Sequence, residues 1–290
     1  MATAALGAAT AAYPATAWAG NNPTARVTGS TQGHTITITD GTITESREVD
    51  ASGKCFFPLY PFIASAVNGG DICGTWAATH GTKSLTLTDT TSNDTVTISV
   101  AWVWGGLQLG EAVTERTITY NANYPMTIDT VAARHDVSQL EDGDTVDGVV
   151  VHILTEDCDN GVYLRWLNRR GETCYRLLRI ISESDEAARK VLASEPVFDT
   201  ADYDNGYNRG DGALVSATAT HTIALGLPFQ RQAQVEELVS LLTAARCDRY
   251  MGNGQWQEVR VNAGSFTPKN DTLQTFQVSI TIPTIQPQQP

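Results

Sequence analysis

Residues 218–227 read TATHTIALGL, and this run decides the fold. Thr218, Thr220 and Thr222 alternate with Ala219, His221, Ile223, Leu225 and Leu227, the period of two that marks a strand with one buried face. After Pro228 the period changes. Val235, Leu238, Val239, Leu241 and Leu242 recur at helical spacing while Arg231, Gln234, Glu236, Glu237 and Ser240 fill the other side, which predicts a helix over 231–245 laid on a sheet. Asn253 and Gly254 supply the positive φ angles of a two-residue hairpin turn joining 247–251 to 255–261. A last strand over 273–282 sets Phe276, Val278, Ile280 and Ile282 against Thr275, Gln277, Ser279 and Thr281, and Pro283 ends it.

Upstream, the pattern from about Arg26 to Thr130 is β throughout, with strands expected at 34–39, 84–88, 95–104 and 116–120. In the third, Val96, Ile98, Val100, Trp102 and Trp104 share one face, and burying such side chains contributes roughly 1.5–3 kcal/mol each. The block 55–67, with Pro58 and Pro61, reads as a loop followed by a short helix. Residues 1–24 are rich in Ala and Thr and carry no side-chain charge, so they read as an extended arm or a disordered terminus. Tyr13 and Trp18 in that arm are of the kind that fill a neighbour's groove.

A second β group runs from Val131 to Ile181, with a strand at 146–154 and a hairpin of 162–167 with 174–181 around Asn168 to Gly171. Pairing Leu167 with Glu172 there sets Cys174 opposite Arg165. Residues 185–193 read as a short helix capped by Ser182 or Ser184, and 199–212 as an exposed loop. The expected fold is mainly β with a flanking helix (α+β), in two β-sandwich-like domains covering 25–132 and 133–283. The second has strand–helix–hairpin–strand order, and an extended Pro/Gln tail follows over 284–290.

The chain has 290 residues and a formal net charge of −13. No Lys or Arg cluster offers an electrostatic source for binding phosphate backbones or anionic lipid, so nucleic acid is excluded as a specific partner. No segment reaches the roughly 20 apolar residues of a membrane helix, and the Ala-rich start lacks the basic flank and Leu-rich centre of a secretory signal. Cys55, Cys73, Cys158, Cys174 and Cys247 are odd in number and lack metal-knuckle spacing, which reads as reduced thiols.

Several groups invite a chemical reading. Asp199, Asp202, Asp204, Asn205 and Asp211 resemble a hard-cation loop, but Gly206 interrupts the ligand spacing and no Glu closes it. His34, His80, His135, His152 and His221 are scattered, and His221 reads as a hydrogen-bonded core histidine. Glu45, Glu48 and Asp50 could imitate a glycosidase carboxylate pair, although a solvated edge explains them better. No nucleophile elbow, phosphate loop or dinucleotide fingerprint occurs. No catalytic residue, metal or cofactor is therefore assigned. Trp76, Trp102, Trp104, Trp166 and Trp256 on β scaffolds offer a competing reading, a carbohydrate-binding surface protein or adhesin.

The run Tyr163, Leu164, Arg165, Trp166, Leu167, Asn168 through Gly171, together with the C-terminal strand, helix and hairpin, resembles structural tail and baseplate proteins of tailed bacteriophages over about 146–285. The resemblance implies a β-sandwich with a flanking helix as a ring-forming unit, and termini that reach into adjacent subunits. It further implies a virion protein made in the host cytoplasm, whose partners are copies of itself and other tail proteins, with a host-surface glycan as a further candidate. Independently, ring subunits need sheet edges that a neighbour can complete. The expected interface comprises Tyr13 and Trp18 in the arm, and Leu273, Phe276, Val278, Ile280, Ile282 and Pro283 in the final strand, read here as an edge.

Overall fold

A computed structural model describes residues 1–69, 72–156, 160–192, 213–230, 232–262, 266 and 273–282. The chain is mainly β, as its alternating patterns predict. Strands β1 (Ala2–Leu6), β2 (Ala9–Tyr13), β3 (Thr16–Trp18), β4 (Thr24–Thr28), β5 (Thr35–Thr39), β6 (Thr44–Glu48), β7 (Lys54–Pro58), β8 (His80–Asp89) and β9 (Thr95–Val103) form two sheets, ordered β1-β2-β4-β7 and β3-β9-β8-β5-β6. Their inner faces share one core containing Val27, Ile36, Ile38, Phe57, Leu85, Leu87, Ile98 and Trp102. Residues 1–24 are thus no free arm. β1 pairs with β2, β2 with β4, and β3 runs parallel to β9, with Ala11, Ala17 and Ala25 buried in the shared core. The segment expected as a loop before Pro58 is strand β7, with α1 (Tyr60–Ala64) following it.

A smaller unit follows: β10 (Glu115–Tyr120), β11 (Thr127–Asp129), β12 (Arg134–Asp136), β13 (Thr145–Val146) and β14 (Val149–Thr155), with β10 parallel to β14 and β11 antiparallel to β12. Its Ile118, Met126, Ile128 and Val151 pack with Tyr163, Tyr175 and Leu177 of the C-terminal region. One hydrophobic cluster thus spans the expected division at 132–133, and a small cluster of Ile72, Cys73 and Leu167 with Trp104 beside it links the first core to the barrel.

The C-terminal region is a closed six-stranded barrel, not a sandwich. It consists of β15 (Val162–Leu167), β16 (Thr173–Leu192), β17 (Ala213–Gln230), β18 (Cys247–Gly252), β19 (Gln255–Val261) and β20 (Gln274–Ile282), in the order β15-β16-β17-β20-β19-β18. Helix α2 (Gln232–Leu241) lies where the period change predicts it, with Val235, Leu238 and Leu241 buried. Leu164, Trp166, Leu225, Leu227, Phe276, Val278 and Ile280 fill the core beside it. Asn253 (φ 51) and Gly254 (φ 73) make the expected turn between β18 and β19.

Two local expectations change. The hairpin register is Leu167 with Thr173 and Trp166 with Cys174, one residue from the expected pairing. Asn168 N–H donates to the Glu172 carbonyl, and Gly171, at φ 78, takes up the extra residue. Residues 185–192 are strand, not helix: Asp185 pairs with His221 and Leu192 with Ala213. Ser-Asp-Glu-Ala-Ala-Arg-Lys is good helix sequence locally, but the long partner strand β17 overrides that preference.

Candidate assembly surface

β16 and β17 stay paired from Arg179 with Gly226 to Leu192 with Ala213. On its other side β16 is covered by β15 only from Thr173 to Leu178, and β17 is covered by β20 only from His221 to Gln230. A two-stranded ribbon thus extends past the barrel over 185–192 and 213–220, roughly 25 Å at about 3.4 Å per residue. Among the described residues no strand lies along the outer edge of β16 there. At its base Ile180 and Ile181 are 45 % and 54 % exposed, beside a register shift between Ile180 and Ser182. His221, where β17 leaves its pairing with β20, is half-buried and bonded through Nδ1 to the Asp185 carboxylate at 2.6 Å, so it is no core histidine.

The expected interface residues fall elsewhere. Phe276, Val278, Ile280 and Ile282 are buried in the barrel core, and β20 lies between β17 and β19. The final strand is paired along its length with β17 and at Thr281 and Ile280 with β19, and its apolar face is buried in the barrel. Leu273, just before it, is half exposed. Tyr13 is half-buried against the sandwich core, and Trp18 is half-buried in β3 opposite Val103. Pro283, the tail 284–290, the loop 199–212 with its acidic residues, and Cys158 lie outside the described residues.

At the opposite end of β16 from the ribbon, a buried polar junction holds the start of the strand against the rest of the molecule. The Arg134 guanidinium donates to both oxygens of Asp129, at 2.5 Å and 3.1 Å, to Thr173 Oγ1 at 3.0 Å and to the Gly74 carbonyl at 3.0 Å. The Thr173 backbone N–H also donates to Asp129 at 2.9 Å, and Arg116 donates to the Thr173 carbonyl at 2.8 Å. Burial alone would raise the Asp129 carboxyl, but these donors hold it below the usual carboxylate range. Sandwich, middle unit and barrel hairpin thus meet at one ion pair. A second clamp joins the same regions: Glu111 takes two 2.8 Å bonds from Arg169 and one from Arg170, and lies at about 2, held there first by Arg169. Between the clamps Gly105 touches the turn so closely that an added Cβ would stand 2.3 Å from the Arg170 carbonyl carbon.

Most of the described groups that invited a chemical reading are engaged within the molecule. His80 is buried, stacked on Trp76 at 5.3 Å and bonded to Thr79. Trp76 donates to the Thr130 carbonyl, Trp166 to Ser240, and Trp102 is buried. The Arg165 guanidinium lies 4.3 Å over the Trp256 ring, which also meets Tyr163, Tyr175 and Tyr250. Trp104 tilts against Tyr60 at 6.0 Å. Glu45 and Glu48 lie on the outer strand β6, and Asp50 caps its own turn through Ser52 and Lys54 N–H groups. Among the described residues no group of His, Cys, Asp or Glu is gathered as metal ligands. Cys55, Cys73, Cys174 and Cys247 are free and buried, and burial pushes the Cys73 thiol up to about 12.

No family model and no curated protein matches the chain.

Proposed function

We propose that the protein is a structural subunit of a bacteriophage tail or baseplate, which self-associates into a ring and docks on neighbouring tail proteins, and that no bond is made or broken in its work. The observation that carries this reading is the β16–β17 ribbon, two long strands continuing beyond the barrel, with no strand along the outer edge of β16 there among the described residues. A two-stranded ribbon alone is marginal in water, whereas a neighbour that completes its edges satisfies the exposed N–H and C=O groups. The polar junction at Asp129 and the clamp at Glu111 tie the barrel's 168–173 hairpin end to the preceding regions of the chain. The resemblance of residues 146–285 to tail and baseplate proteins supplies the biological setting.

The test is particle composition. In purified tailed particles whose genome encodes this chain, the protein is expected at the copy number of a structural component, and a nonsense allele is expected to leave tails incomplete. Its absence from such particles, with tails assembling normally, contradicts the proposal.

A further inference from the structure

Within the ribbon, β16 carries an acidic stretch and then a basic one: Glu183, Asp185 and Glu186, followed by Arg189 and Lys190. Inside the subunit the residues opposite the last three are uncharged, since Glu186 pairs with Thr220, Arg189 with Ala217 and Lys190 with Ser216. Asp185 meets His221 yet its side chain remains 85 % exposed. Between Ser182 and Lys190 the ladder is regular, and the outer side of β16 is without a strand among the described residues.

We infer that this edge binds the same edge of a second copy, β16 antiparallel to β16, about a twofold axis near Ala187 or Ala188. The inference rests on the assembly reading and names the partner of the ribbon. In a strand paired with its own copy, the outward N–H groups alternate, so the residue numbers of opposed partners must sum to an even number. Centred on Ala187, Asp185 stands opposite Arg189 of the second copy and Glu186 diagonal to its Lys190. Centred on Ala188, the direct and diagonal roles exchange. Either way four acid–base contacts form by symmetry, at positions where opposite charges stabilise a sheet. A four-stranded sheet, β17-β16-β16-β17, then replaces an isolated ribbon. The alternative neighbour, the outer edge of β17 over 213–220, reads ALVSATAT and offers no charge to match.

The test is a charge swap in the full chain. D185K/E186K makes the stretch wholly basic, and R189E/K190E makes it wholly acidic. Sedimentation equilibrium of wild type is expected to show a dimeric step that weakens with salt. Each variant alone is expected to bind itself at least about tenfold more weakly, because four attractive contacts become repulsive, while an equimolar mixture of the two recovers wild-type association. Thermal unfolding checks that each variant is folded. For wild type itself, amide exchange over 183–190 is expected to slow as concentration rises. Assembly that ignores both swaps, or a mixture that fails to recover, overturns the twofold contact and leaves the assembly reading standing. A wild-type monomer at every concentration overturns both.

Discussion

Asp129 and Arg134 stand opposite one another across a three-residue ladder, and the pair is buried where three parts of the molecule meet. Removing one member leaves the other charge unpaired away from water, so Asp129→Ala is expected to cost about 3–5 kcal/mol in urea unfolding. A loss under about 1 kcal/mol would show that water replaces the carboxylate there. Glu111 tests the second clamp through pH. Its carboxyl lies at about 2 in the folded protein against an ordinary 4.5, a depressed value. Its contribution is therefore complete above 4.5 and is lost as pH falls towards 2. The gap in melting temperature between wild type and Glu111→Gln is expected to narrow across that interval, and a constant gap would contradict the assignment. The thiols make a third test. Cys55, Cys73, Cys174 and Cys247 are expected to resist alkylation in the folded protein and to react in denaturant, as read by peptide mass, because burial raises each pKa.

At the scale of elements, Gly105 is the most exposed to a direct test. Its missing side chain lets the end of the sandwich lie on the 168–171 turn, and Gly106 N–H bonds to the Arg169 carbonyl at 2.8 Å there. Gly105→Ala must push backbone from backbone, so faster proteolysis between 104 and 115 is expected with the barrel intact. An unchanged digestion pattern would refute the contact. The elements also show what the sequence discloses. β5, β8, β9, β17, α2 and the Asn253–Gly254 turn are legible because their period or turn chemistry is local. β16 beyond Asp185 is not, since a helix-favouring composition is overruled by a strand that returns only after residue 212. β20 is legible as a strand but not as an inner one: alternation reveals a buried face and says nothing about which strand lies alongside. The Asp129 junction left no sequence signal either, as its members, from Gly74 to Thr173, are gathered only by the tertiary fold.

For the whole molecule, a sandwich, a small β unit and a barrel form a body from which one ribbon projects, and the account turns on what that ribbon meets. The alanine-rich start and the last strand, which the sequence offers as interface, serve the subunit's own cores instead. In the proposed assembly, association rests on β16 and β17. The most direct measurement is native mass combined with electron microscopy of the purified full chain at micromolar concentration, beside a variant in which residues 185–220 are replaced by a short Gly-Ser turn. The account predicts closed assemblies at integer multiples of 31.2 kDa for the full chain and, for the shortened one, a folded monomer lighter than 31.2 kDa by the deleted segment. Full chain that remains a monomer throughout, or identical assemblies from both proteins, would contradict it.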